Sequence, residues 1–559
     1  VDINLIKGLV WTSRLAGTIN NRRYESFNGP KTYDGIDYDG HSITANSFLN
    51  YNVDIQKLNI AATLGYEYNE NYSKSYVMDI GGFPDIPGLE GPANGSEYLW
   101  ADWNISGNTR WTERSESYFF RANLSYNRKY LLGFSIRRDG TSKLAKENRY
   151  SNFPAVSAGW VISDEAFMSR QHVINLLKLR TSYGMTGSIT NVSMADCYDR
   201  LSSDIYWGKP ALSVASTLGN PDLQWEKTNQ VDVGVDLALF QNRLTLIAEW
   251  YLKRTSGMMN SEPLPSSTGG YTSRKINAGT IRNSGVDLAL NFQHHFTKDW
   301  GLTAGINMNI NRSKVIDLPV DNWAYSSAYY GGGNTPRPRL KIGQSFGALE
   351  MYRALGLDER GDIIYDDVSG NGSIDAADKV IIDNLTPKFT GGLNLGVSWK
   401  NLSLFGQFSF TYGGKIYNLD EQLLRSTELG YDDVMKNKPD YILDRWTQEN
   451  QSSRYPRFVV GAHGAQNETG WNDRPSTLYL FDASFLKLNK LTLSYNLPQN
   501  WIQKLGMTSC SVYLSGENLF TLKNKKLNVP DPEAALTSGI AQKGVPSPRS
   551  FMIGLDLTF

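Results

Sequence analysis

The stretch Tyr118-Phe-Phe-Arg-Ala-Asn-Leu-Ser-Tyr126, followed after Asn127–Lys129 by Tyr130-Leu-Leu-Gly-Phe-Ser-Ile136, decides the fold class of this chain. Tyr118, Phe120, Ala122, Leu124 and Tyr126 alternate with Phe119, Arg121, Asn123 and Ser125. A strand sends successive side chains to opposite faces, so one face of this segment suits lipid and the other suits water. The short break and the renewed alternation through Leu132, Phe134 and Ile136 read as a hairpin, with aromatic residues at the ends of its apolar band.

The same pattern recurs along the chain. Val231 to Leu239 turns at Gln241–Arg243 into Leu244 to Trp250, and Val286 to Phe292 turns near Asp299 into Leu302 to Ile310. Leu393 to Trp399 turns at Lys400–Asn401 into Leu402 to Tyr412. The chain closes on Ser550-Phe-Met-Ile-Gly-Leu-Asp-Leu-Thr-Phe559, in which Phe551, Ile553, Leu555, Leu557 and Phe559 share one face. A final strand of a barrel has this form, and it is expected to pair with the strand near Ser509–Gly516 and with the first strand of the cylinder. That first strand is expected upstream of Val1 or in another chain. Near the start, the first clear strand signals fall at Ser42–Val53 and Lys57–Tyr68, and Tyr72–Arg114, rich in Gly, Pro and Trp, reads as one long loop.

Short turns alternate with long segments, roughly 189–226, 255–282, 315–344, 358–388, 413–482 and 521–548. That segregation predicts an all-β fold, a transmembrane antiparallel β-barrel with short periplasmic turns and long outer loops. About 16 or 17 strands are countable.

Composition agrees. At 559 residues the chain exceeds the roughly 100 to 200 of one ordinary domain. Lys+Arg and Asp+Glu are both 56, so no global field points to nucleic acid. Aromatics make up 12% while the mean hydropathy is −0.40, a pairing expected when half of each spanning strand faces lipid. No run reaches the roughly 18 apolar residues a membrane helix needs. Two cysteines, Cys197 and Cys510, supply neither a disulfide framework nor a zinc motif. No signal peptide opens the chain at Val1.

Several segments resemble the SusC/RagA-like TonB-dependent transporters of the Bacteroidetes outer membrane. They are Ile136-Arg-Arg-Asp-Gly-Thr-Ser142, Asn152-Phe-Pro-Ala-Val-Ser-Ala-Gly-Trp160, Ser163-Asp-Glu-Ala-Phe-Met168 and Leu179-Arg-Thr-Ser-Tyr-Gly184. Gly219-Asn-Pro-Asp-Leu-Gln-Trp-Glu226, Asn277-Ala-Gly-Thr-Ile-Arg-Asn-Ser-Gly285, Arg445-Trp446 with Arg454-Tyr-Pro-Arg457, and Gly516-Glu-Asn-Leu-Phe520 follow in order. The resemblance implies a barrel of about 22 strands embedded in outer-membrane lipid. It also implies an N-terminal plug domain, a TonB box and a lid formed by a SusD-like surface lipoprotein. On that basis residues 1–559 correspond to the C-terminal barrel portion, with plug and TonB box upstream. The implied function is TonB-dependent import of a large nutrient, an oligosaccharide or a peptide. A passive porin closed from these residues alone, and an adhesin or structural barrel, are the alternatives.

Candidate sites are few. Asp367, Ser369, Asn371, Asp375 and Asp378 stand at positions 1, 3, 5, 9 and 12 of a loop, with Gly372 at position 6 and the Ser373 carbonyl at position 7. That spacing makes a candidate calcium loop, although Asp replaces the usual bidentate Glu and no helices flank it. The bland reading is a solvated Asx/Gly turn. Gly343-Gln-Ser345-Phe-Gly347 fits the pattern of a hydrolase elbow, but antiparallel surroundings and the lack of placed partners argue against catalysis. His41, His172, His294, His295 and His463 form no zinc spacing, and no enzyme activity or obligatory cofactor is expected. Trp100, Trp103, Trp207, Trp323, Tyr325, Tyr329, Tyr330 and Trp471 either stack on solute or pack loops together. Arg121, Asp232, Asp236 and Asp287 are placed on the lumen face, where they contact solute or plug or simply hydrate a pore.

Overall fold

The structure, a computed structural model, describes residues 1–27, 32–81, 109–207, 209–320, 323–324, 335–383, 385–425, 440–458, 471–503, 506–535, 539–542 and 546–559. The chain forms two compact units. The first comprises Val1–Val161, Arg180–Val231 and Arg254–Ala278; the second comprises Ile162–Leu179, Asp232–Lys253 and Gly279–Phe559.

The first unit carries an antiparallel meander of β1 (Asp2–Ile6), β2 (Leu9–Phe27), β3 (Thr32–Ile55), β4 (Leu58–Gly81), β5 (Thr109–Tyr126), β6 (Tyr130–Thr141) and β7 (Tyr150–Val161). Register aligns the apolar face: Leu64 opposes Phe120, which opposes Ile136, and Ile60 opposes Leu124, which opposes Leu132. Aromatic residues close one end of the band, where Tyr126 opposes Tyr130 and Tyr130 opposes Trp160. The turns are tight, with Gln56, Asn127 and Arg128 in the left-handed region that two-residue and three-residue hairpin loops require. Gly8, at φ 83°, is needed twice over, because a Cβ there would meet the Asn52 carbonyl oxygen at 2.4 Å.

Three strands are divided between the units: β8 (Ile174–Ser188), β9 (Glu226–Leu239) and β10 (Leu244–Ser256). The second unit carries β11 (Thr280–His295), β12 (Trp300–Asp317), β13 (Phe389–Trp399), β14 (Leu402–Tyr412), β15 (Phe485–Asn496), β16 (Ser509–Lys523) and β17 (Ser550–Thr558), each antiparallel to the next. Leu404, Leu493, Leu514 and Ile553 succeed one another across four strands. Their exposures run from 41% to 79%. In water such a contiguous apolar surface would be a liability; beside lipid it is the seat of the protein. As expected, β17 pairs with β16, from Ser509 opposite Thr558 to Glu517 opposite Ser550.

Two sequence expectations are corrected. Strand structure starts at Asp2 and Leu9, well before Ser42, and the supposed loop Tyr72–Arg114 is strand at both ends, since β4 runs to Gly81 and β5 begins at Thr109. In β2 the apolar face of Trp11, Leu15 and Ile19 is diluted by Ser13 and Gly17, and Glu113, Arg114 and Ser115 in β5 carry no apolar alternation, while backbone pairing continues through both strands. Residues 82–108 lie outside the described set.

The long segments are folded. In the second unit, strands at Arg337–Leu340, Ala348–Tyr352 and Lys379–Ile382 form a small antiparallel sheet, and Lys415–Asn418 pairs with Leu480–Asp482 and, in parallel, with Ile540–Ala541. Leu349, Met351, Tyr365, Tyr417, Leu419, Trp471 and Tyr479 form their common core. In the first unit, Leu144, Val192, Cys197, Leu223 and Met259 form a smaller one. No described helix is long and apolar enough to cross a membrane.

Candidate functional site

The loop body of the second unit is built around two buried carboxylates. Asp362, 1% exposed, accepts Nε and Nη2 of Arg457 at 2.7 and 2.9 Å and Nδ2 of Asn472 at 3.1 Å. Glu421 accepts Arg425 Nε at 3.0 Å and the Tyr455 hydroxyl at 2.6 Å, while the Arg425 guanidinium lies 3.3 Å from the Tyr455 ring centroid. The Arg454-Tyr-Pro-Arg457 segment therefore supplies one partner to each carboxylate. Trp446 lies on Gly361: a Cβ at that glycine would meet the indole at 2.4 Å. Two sequence signals, Arg445-Trp446 and Arg454–Arg457, thus meet at one place, Gly361-Asp362, which no motif had marked.

Packing is tight enough to perturb phenols. Burial holds Tyr365, Tyr417 and Tyr479 well above the usual tyrosine range, and burial with the Glu421 hydrogen bond does so for Tyr455. Arg474 completes the body by lying over Trp471 at 4.6 Å and donating to the Ile374 carbonyl at 3.0 Å.

That last bond hangs the Asp367–Asp378 loop on the body. Asp367 accepts the amides of Gly370 at 2.7 Å and Gly372 at 2.8 Å, and both glycines take positive φ. Ser369 Oγ donates to Asp367 at 3.2 Å, and Asn371 Nδ2 to Asp375 at 3.2 Å, so the first, third, fifth and ninth positions meet in pairs. Asp378 is buried, accepting the Ser369 amide on Oδ1 at 2.9 Å and the Asp375 amide on Oδ2 at 2.8 Å. Those backbone amides hold its carboxyl below the ordinary aspartate range. Among the described residues no three acidic, histidine or cysteine side chains converge as a metal cluster. The side-chain oxygens of Asp367, Asn371 and Asp375 accept hydrogen bonds from within the loop, and with Ser369 Oγ and the Ser373 carbonyl they make a hard oxygen set of the kind calcium takes, carrying only two carboxylates.

In the first unit the Gly219–Glu226 motif is a clasp. Asn220 donates to the Lys275 carbonyl at 2.8 Å, Trp225 to the Arg149 carbonyl at 3.1 Å, and Glu226 accepts the Met259 amide at 2.7 Å. Asn277, which opens the next motif, exchanges hydrogen bonds with the backbone of Gln224 at 2.7 and 2.8 Å.

The remaining candidates scatter. Ser345 is capped by Asp383, which accepts both its hydroxyl and its amide, so the elbow motif is a closed turn. His294 packs edge-on to Phe296 at the end of β11, and His41 stacks on Tyr72. Trp471 is buried, whereas Trp207 is 87% exposed beside Tyr206. Asp236 lies 3.7 Å from Lys178, Asp287 accepts Asn309, Asp232 is half-buried and Arg121 is exposed. Trp100, Trp103, Tyr325, Tyr329, Tyr330 and His463 lie outside the described residues, as does the side chain of Trp323.

Comparison with known proteins places this architecture. The chain is 27% identical over 551 residues to TonB-dependent receptor P3 of Formosa agariphila, covering 92% of this chain and 52% of that protein. It is 29% identical over 459 residues to the TonB-dependent receptor SusC of Bacteroides thetaiotaomicron, covering 79% of this chain and 43% of SusC. The solved structure of the RagAB peptide transporter superposes with a TM-score of 0.83 at 26% identity, covering 100% of this chain and 61% of that one. The chain thus spans about half the length of the curated relatives it matches. These relatives are receptors and transporters, not enzymes. The family model described as TonB dependent receptor-like, beta-barrel matches residues 2–519, and the chain belongs to that family of outer-membrane proteins.

Proposed function

We propose that this chain supplies barrel strands and outer loops of an importer that takes a large nutrient, an oligosaccharide or a peptide, across the bacterial outer membrane at the expense of TonB. In the whole protein a plug domain fills the lumen and a SusD-like lipoprotein covers the loops. The observation that carries this reading is the pairing of a lipid-facing apolar lattice with a cross-braced loop body on one chain, at a TM-score of 0.83 to the RagAB peptide transporter. A passive pore needs only the lattice. A loop body cored by Tyr417, Tyr479 and Trp471 gives a lid and a large solute a firm surface.

The same reading gives the Asp367–Asp378 loop a calcium ion, held by Asp367, Ser369, Asn371, Asp375 and the Ser373 carbonyl. With two carboxylates its affinity falls in the weak range of extracellular sites, with a Kd of about 0.1 to 1 mM.

The test is uptake of labelled oligosaccharides and peptides by cells with and without the full-length protein, in the presence and absence of TonB. Uptake that needs both supports the proposal. Uptake that persists without TonB would make the protein a passive pore.

A further inference from the structure

Ile136-Arg137-Arg138 sets two adjacent arginines on opposite faces of β6. Arg137, on the polar face, is well engaged: it donates to Asp139 at 2.5 Å and to Ser117 at 2.8 Å, and lies 3.6 Å from Glu67. Arg138 shares the outward face with Phe134 and Ile136, is exposed, and lies 5.1 Å from the centre of the Tyr150 ring. Among the described residues no carboxylate pairs with it.

Its neighbours are in the same condition. Tyr118, Arg138 and Asn152 stand side by side across β5, β6 and β7, in the row next to Phe120, Ile136 and Pro154. Among the described residues no hydrogen bond or ion pair engages the Tyr118 hydroxyl, the Arg138 guanidinium or the Asn152 carboxamide. The rows beyond are closed. Glu116, the carboxylate nearest in register, accepts the Tyr150 hydroxyl and, at 3.3 Å, that of Tyr66, and Glu70 accepts Arg114 at 2.6 Å.

Depth makes the open row informative. Along β6, Tyr130 belongs to the aromatic row beside the short turn, and Arg138 lies beyond Leu132, Phe134 and Ile136. Eight residues at about 3.3 Å each, tilted by roughly 40°, rise roughly 20 Å, near the top of an apolar band about 25 Å tall. Short turns face the periplasm, so this row stands where acyl chains of the outer leaflet give way to head groups. A guanidinium there is partly desolvated and needs a counter-charge, and a phosphate suits its fork of donors.

We propose that Tyr118, Arg138 and Asn152 bind the phosphorylated head of an outer-leaflet glycolipid, an acylated phosphodisaccharide of the lipid A type. Arg138 takes the phosphate. Three strands span about 10 Å, wider than a phosphate alone, so the phenol and the carboxamide on either side reach hydroxyls of the adjoining sugar, while Phe120, Phe134 and Ile136 below receive acyl chains. A phosphate monoester on diacylglycerol satisfies Arg138 but leaves both flanking groups idle. The proposal concerns the seat of the protein in the membrane and does not depend on the import reading.

The test is native mass spectrometry of the full-length protein in detergent, with bisphosphorylated lipid A, the same lipid stripped of phosphate, and dioleoyl phosphatidic acid as probes. Lipid A should bind at least fivefold more tightly than either of the others. Arg138→Gln should weaken it about tenfold or more, Arg138→Lys less, and Tyr118→Phe and Asn152→Ala each about twofold to fourfold. Arg110→Gln is the control: Arg110 also faces outward, over the Tyr72 ring at 5.6 Å, but lies eight residues beyond Tyr118 along β5, roughly 20 Å farther out, and its loss should change nothing. Heat-modifiable migration on gels shows that each variant is folded. Lipid A binding that is indifferent to Arg138→Gln, or equal for the stripped lipid, overturns the site. Equal binding of phosphatidic acid, or no effect of both Tyr118→Phe and Asn152→Ala, overturns the glycolipid as its occupant.

Discussion

Arg457 and Asp362 are joined by two parallel hydrogen bonds of 2.7 and 2.9 Å, between a carboxylate 1% exposed and a guanidinium 38% exposed, with 94 residues of chain between them. One end is dry and the other wet, so the pair is a bolt driven into the loop body from its surface. Asp362→Ala should cost roughly 2 kcal/mol of local stability, below the range for fully buried pairs because Arg457 regains water. Limited proteolysis should show faster cleavage in the loop body while the barrel strands remain protected.

Gly361, next to that carboxylate, has φ of +82° and the Trp446 indole against it. Gly361→Ala combines backbone strain with a clash, a penalty of about 1 to 3 kcal/mol. Trp446→Ala in the same chain should recover part of it; hydrogen exchange of 440–458 would report both changes.

The two faces of β16 make opposite predictions. Leu514 is 50% exposed on the apolar face, level with Leu493 and Ile553. Leu514→Arg should destabilise the folded protein by about 2 to 4 kcal/mol, if it folds into bilayers at all. Tyr513→Arg on the polar face should fold normally. Heat-modifiable migration on gels separates the outcomes.

Acid should open the Asp367–Asp378 loop. Backbone amides of Asp375 and Ser369 lower the Asp378 carboxyl below its unfolded value, so its contribution is complete above the ordinary aspartate range of about 4 and is lost as pH falls through the depressed value. Asp378→Asn should abolish that pH dependence. Backbone NMR or hydrogen exchange of 367–378 provides the measurement.

Calcium should act on the same loop at neutral pH. Millimolar calcium is expected to slow exchange of the Gly370 and Gly372 amides, and chelation should reverse it; Asp367→Ala should remove the response. No change on addition of calcium would leave the loop a plain Asx/Gly turn.

Much of this protein is written in its sequence. Alternation at Tyr118–Ile136, Leu393–Tyr412 and Ser550–Phe559 determined the strands, their lipid-facing sides and their order, because a period of two is a local property that pairing only has to respect. The alternation is diluted at Leu9–Phe27, where Ser13 and Gly17 interrupt the face of Trp11, Leu15 and Ile19, and pairing with β3 reveals the strand. Tertiary structure alone decided the rest: that Arg457 reaches Asp362 across 94 residues, and that Asp378 spends both oxygens on its own loop. These depend on which segments meet, a matter of register and loop packing that no local period records.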